Sequence, residues 1–144
     1  MPSDIKTFSV QEFYIEVSDG PIDMARRLTE ALEEKILRMS SLSKETEDGD
    51  IQYEGGIKSF SYLTTFTTKS DDEVGMKEVQ RLTITVEVSY KNPSDEASSF
   101  KQKQFSASAD MISGESKSRT EDDLVNEIIR KLVDDICCKS IDNW

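Results

Sequence analysis

The hydrophobic positions of this chain change period along its length, from two to about 3.6 and back, and those changes predict its elements. Residues 5–13 (IKTFSVQEF) alternate loosely and carry β-branched and aromatic residues, which predicts a strand. A turn follows at SDGP. After Pro21, IDMARRLTEALEEKILRM is rich in strong helix formers, and Met24, Leu28, Leu32, Ile36 and Met39 recur at helical spacing. Asp19 or Ser18 is placed to cap this helix, with Pro21 in its first turn. The polar stretch 40–50 (SSLSKETEDGD) predicts a loop.

Residues 51–68 then form a long strand dense in aromatic and β-branched side chains, among them Tyr53, Ile57, Phe60, Tyr62 and Phe66. Gly55 and Gly56 fall inside it and predict a bulge or sharp bend, where φ is positive or another backbone comes close. KSDDEVG closes a hairpin. The following strand alternates cleanly, with Leu82, Ile84, Val86, Val88 and Tyr90 on one face and Arg81, Thr83, Thr85, Glu87 and Ser89 on the other. After the turn KNPSDEAS, residues 100–112 place Phe105, Ala107, Ala109 and Met111 inward and Gln104, Ser106, Ser108 and Asp110 outward.

Past the loop SGESKSR, Thr120 and Asp123 have the spacing of a capping box, and the acidic EDD run suits a helix N-terminus. Leu124, Val125, Ile128, Ile129, Leu132, Val133 and Ile136 form a wide apolar stripe that must dock on something. The expected fold is therefore α+β: a single domain over 1–144, a two-layer sandwich with two helices on one face of a mostly antiparallel four-stranded sheet, in the order βαβββα. The only tryptophan, Trp144, closes the chain, and a large aromatic at that position points to a tail that is tied down.

Composition narrows the function. The 144 residues are 35% hydrophobic and 33% charged, as in an ordinary globular domain, and a core of that size needs neither disulfide nor metal. A net charge of −11 disfavours nucleic acid, whose backbone is gripped by Lys and Arg. The absence of histidine removes His-based triads and most catalytic zinc sites. No apolar run approaches the roughly 20 residues of a transmembrane helix, and the start, MPSDIKTFSV, lacks the features of a signal peptide.

Candidate chemistry is sparse. Cys137 and Cys138 lack a CxxC or a second pair, and successive helical residues diverge by about 100°, so one thiol is expected in the core and the other in solvent. The carboxylate pairs Asp71–Asp72, Asp122–Asp123 and Asp134–Asp135 fall in predicted loops or on solvent faces. No nucleophile sits with a base, and no metal or cofactor motif is present. A carboxylate hydrolase would require a deep acidic pocket. The wet side of the meander is distinctive: Thr64, Thr65, Thr67, Thr68, Thr83, Thr85, Ser106 and Ser108 make it hydroxyl-rich, with Arg81, Lys101 and Lys103 interspersed as candidate partner contacts.

In order, DIKTFSV, RRLTEALEEKIL, DIQYEGGI, RLTITVEVSY, FKQKQFSASADM, EDDLVNEIIRKLVDDI and the closing Trp144 resemble the LptE family of Bacteroidetes-type bacteria, lipopolysaccharide-assembly lipoproteins of the outer membrane. The resemblance spans nearly the whole chain and implies a non-enzymatic protein at the periplasmic face. It implies a translocon β-barrel as partner, which the protein plugs and helps assemble, with lipopolysaccharide as a possible second partner. The family's lipidated cysteine has no counterpart before Asp4, so the resemblance puts the lipid anchor on a preceding segment. No residue-level site carries over; Arg81, Lys101 and Lys103 rest on position alone. The alternative is a general α+β interaction module with an unrelated partner.

Overall fold

Among the described residues, two helices cover one face of a mixed six-stranded sheet. The computed structural model describes residues 5–68, 76–113 and 119–141; the turn expected at 69–75, most of the loop expected at 113–119 and Trp144 lie outside them. The strands are β1 (Thr7–Val10), β2 (Tyr14–Ile15), β3 (Ser43–Lys44), β4 (Ile51–Thr68), β5 (Met76–Lys91) and β6 (Phe100–Ile112), ordered β3-β1-β4-β5-β6 with β2 also beside β4. The helices are α1 (Met24–Met39) and α2 (Glu121–Ser140).

The α+β sandwich is as expected, but the sheet is larger than four strands and is not antiparallel throughout. β4, β5 and β6 form the antiparallel meander, whereas β1 and β2 both lie parallel to β4, and β3 lies parallel to β1. The cause is connectivity: α1 lies between β1 and β4, and a helical crossover returns the chain in the same direction, as a tight hairpin cannot. The stretch 5–13 is also not one strand. After Val10 the amide of Phe13 turns to the buried Thr29 Oγ1 (3.0 Å), whose hydroxyl donates to the Ala25 carbonyl (2.8 Å). The chain therefore leaves β4 and rejoins it at Tyr14.

The core lies between the sheet and the helices. Leu82, Ile84, Val86, Val88 and Tyr90 are buried, as are Leu124, Val125, Ile128, Ile129, Leu132, Val133 and Ile136 of α2. Each such aliphatic side chain contributes roughly 1.5–3 kcal/mol on leaving water, which is what holds α2 in place. The capping box forms as expected, with Asp123 N donating to Thr120 Oγ1 (3.2 Å) and Thr120 N to Asp123 Oδ2 (3.0 Å). α1 departs at both ends. It begins at Met24 with Asp23 as N-cap rather than Asp19 or Ser18, and Ile22 is exposed, because Gly20 turns the chain at φ 92° close under the Phe60 ring. Met39 runs past the core and is 42% exposed. The helices join through Arg27 to Asp122 (2.9 Å) and Asn126, and Lys35 to Asp134 (3.2 Å).

The irregularity in β4 sits at Lys58, not at the glycines. Ile57 pairs with Val86 and Ser59 with Thr85, so Lys58 is an extra residue. Side chains facing the helices are odd-numbered before it (Tyr53, Ile57) and even-numbered after it (Phe60, Tyr62, Phe66). Gly55 and Gly56 have ordinary negative or extended φ and serve close approach: a Cβ on Gly55 would lie 2.2 Å from the Glu87 carbonyl oxygen, and one on Gly56 2.2 Å from the Tyr14 ring.

The free edge of β6 is blunted. Lys131 Nζ on α2 donates to the Ser108 carbonyl (2.7 Å) and Arg119 Nη1 to the Asp110 carbonyl (3.0 Å). At the other end of β6 the register shifts opposite Val88 and Tyr90, and Gln102 takes φ 53°. Both devices deny a second chain a continuous ladder.

Candidate functional site

Among the described residues both helices pack on one face of the sheet, and the centre of the opposite face is built of hydroxyls. Alternation on β5 and β6 puts Thr83 opposite Ser108 and Thr85 opposite Ser106, and each pair is hydrogen-bonded at 2.7 Å. Ser59 and Ser61 extend the surface across β4, since they pair with Thr85 and Thr83. Of the threonines expected here, Thr65 lies on this face. Thr64, opposite Gln80, falls on the helix side because the bulge at Lys58 reverses the alternation. The side chains of Thr67 and Thr68 lie outside the described residues.

The three candidate basic residues do not converge. Arg81 is on the hydroxyl face but is already paired: Nε and Nη2 donate to the two oxygens of Asp110 at 2.8 and 3.1 Å. This hydrogen-bonded pairing holds the Asp110 carboxyl below the usual range and raises the guanidinium. Lys103 stands opposite Val88 and so belongs to the helix side, exposed at the β6 edge. Lys101 is exposed some 30 Å of extended strand away from Asp110, at the far end of β6.

Two features escaped sequence reasoning. One is a Lys58 cluster: its ammonium reaches Glu16 (2.8 Å) and Glu87 (3.5 Å) and lies 5.6 Å from the centre of the Tyr14 ring. The bond to Glu16 raises its pKa well above the lysine norm. The other is a trough of about 1060 Å³ where β1, β4, β5 and β6 meet, at the end of the sheet where β4 begins and β5 ends, walled by residues 44–48 and 99–101. Its carboxylates are solvent-exposed, apart from Glu33, which is paired with Lys44 at 3.1 Å, whereas acid–base catalysis relies on an environment that separates two carboxyls. The expected pairs are occupied elsewhere: Asp122 binds Arg27, Asp123 caps α2 and Asp134 binds Lys35, while Asp71 and Asp72 lie outside the described residues. The cysteines divide as expected, Cys137 buried and Cys138 exposed; burial pushes the Cys137 thiol up to about 12.

Among the described residues no helix is long and apolar enough to cross a membrane. Solved structures superpose on this chain at low sequence identity, one of them with a TM-score above 0.5. A Helicobacter pylori protein described as a neuraminyllactose-binding hemagglutinin homolog superposes with TM-score 0.51 at 12% identity, over 94% of this chain and 81% of that one. A hypothetical protein of Chlamydia trachomatis gives TM-score 0.49 at 9% identity over 96% and 99%. A minor lipoprotein of Acinetobacter baumannii gives 0.40 at 12% over 94% and 87%. No curated protein matches by sequence. The family model for lipopolysaccharide assembly, LptE, matches residues 5–137, a span that takes in every described strand and nearly all of α2, and this chain belongs to the LptE family.

Proposed function

We propose that the protein is a periplasm-facing outer-membrane lipoprotein, held by an N-terminal lipid anchor, that seats in the lumen of the lipopolysaccharide-translocon β-barrel. There it plugs the barrel and helps it assemble, and it catalyses no reaction. Family membership supports the lipopolysaccharide-assembly role. The observation that carries the docking mode is the uncovered sheet face, whose paired hydroxyls at 2.7 Å present a polar, nearly charge-neutral surface suited to a water-lined barrel interior. Direct lipopolysaccharide contact falls to Lys103 before Arg81 and Lys101, since Asp110 already neutralises the Arg81 guanidinium and Lys101 stands among the carboxylates of the trough.

The test is retention of the barrel from outer-membrane extracts by the anchored protein. Thr83→Arg with Ser106→Arg, projecting from the uncovered face, should cut retention at least tenfold, while Glu30→Arg on α1 should leave it unchanged. Equal retention by all three would sink the docking mode. Capture of an unrelated partner and no barrel would favour the general interaction module.

A further inference from the structure

We infer that the trough at the strand ends receives a basic, extended segment of a partner protein, whose Lys or Arg side chains lie against Glu12, Glu45, Glu47, Asp48 and Glu54. The inference rests on the reading that this protein works by binding another macromolecule, and it adds the chemistry of one contact. At about 1060 Å³ the trough exceeds the size usual for a small-molecule site, and it is a trough rather than an enclosed cavity, which suits a length of chain.

Its charge is one-sided. Six carboxylates line it, those five and Glu33, against Lys44, Lys91 and Lys101. Glu33 is held by Lys44 at 3.1 Å. The other five are exposed and make no ion pair among the described residues, with Lys91 and Lys101 alone to offset them. A phosphate-bearing ligand would face that excess of like charge. A point cation is no better served, because among the described residues no three acids come close enough together to hold a metal ion. Carboxylates spread along a trough instead match positive charges spread along a strand. Phe100, half-buried in the lining with its ring centre 5.5 Å from that of Tyr90, offers apolar surface to the aliphatic stems of such side chains.

The probe is a fluorescein-labelled decapeptide of alternating Lys and Thr, titrated into the full chain at low and physiological salt. Glu12→Gln, Glu45→Gln, Glu47→Gln and Glu54→Gln together should weaken binding at least tenfold. Removing the same charge from the helices, by Glu30→Gln, Glu34→Gln, Asp122→Asn and Asp135→Asn, should change it less than twofold. Carbodiimide cross-linking of the peptide to the wild-type chain should label Glu45, Glu47 or Glu54, a readout that needs no variant to fold. Equal weakening in both variants, cross-links confined to the helices, or tighter binding of a Glu–Thr peptide would overturn the proposal. None of these outcomes involves a barrel, so they leave the docking of the hydroxyl face to its own test.

Discussion

Adding one methyl group at Gly55 should cost far more than adding the same group next door. A Cβ at Gly55 would stand 2.2 Å from the Glu87 carbonyl oxygen and 3.1 Å from Val88 Cα, both backbone atoms of the paired strand. Ordinary contact begins near 3.4 Å, so β4 and β5 must part by about an ångström at this point. Overpacking of this kind costs about 1–3 kcal/mol, and stretching a flanking ladder bond adds about 1 kcal/mol. Gly55→Ala should therefore destabilise by about 3 kcal/mol, which for a chain of 144 residues lowers Tm by roughly 10 °C. At Gly56 the obstacle is the ring of Tyr14, which is 47% exposed and free to swing away. The loss there is the Tyr14 contact with Lys58, about 0.5–1 kcal/mol, offset by about 0.4–1 kcal/mol from a stiffer unfolded chain. Gly56→Ala should stay within about 3 °C of the parent by calorimetry. Equal melting of the two variants, or a harmless Gly55→Ala, would refute the close-approach account of this strand pair.

Tyr53→Phe removes a buried 2.7 Å hydrogen bond to Ser140 at the end of α2, and because Ser140 still donates to the Ile136 carbonyl, the loss should be about 1 kcal/mol, or about 3 °C in Tm. Titration with a chromogenic disulfide should find one fast thiol, Cys138, and a second only on denaturation; two fast thiols would contradict the burial of Cys137. Acid should destabilise the fold, because Asp110 beside Arg81, Glu127 beside Lys131 and Arg119, and Asp50 beneath the Lys6 and Thr7 amides all have depressed pKa values. Groups lowered on folding contribute stability that is full above the unfolded carboxyl range, near 4, and is lost as pH falls through their folded values. Tm should thus hold from about pH 7 to 5 and fall below about pH 4, and Asp110→Asn with Glu127→Gln should flatten that decline.

What could be read from the sequence was whatever local periodicity encodes. α2 combined a 3.6-residue stripe with Thr120 and Asp123 at capping spacing, and β5 alternated from Leu82 to Tyr90, so both were legible along with the helix-covered face. The parallel pairing of β1 with β4 was not, because direction is set by the α1 crossover rather than by any residue of either strand. β3 has two residues, too few to show a period, and it lay in a stretch whose polar residues predict a loop. The bulge left a signal that was misplaced: the apolar positions of β4 switch from odd to even across Lys58, while the glycines two and three residues earlier drew the irregularity to themselves. At the candidate site, the hydroxyl pairs follow from alternation, but the trough does not. Its walls, residues 44–48 and 99–101, are some fifty residues apart and meet only through the sheet order.

The capping of β6 by Lys131 and Arg119 also bears on the order in which this fold is made. β6 precedes α2 in the chain, so any meander that forms before α2 docks has an open side. During that interval the same ladder that later ends the sheet is a template for a neighbouring nascent chain. A sheet whose guard arrives late is exposed to that pairing until α2 has docked, which makes the interval between completing β6 and seating α2 the vulnerable period of folding.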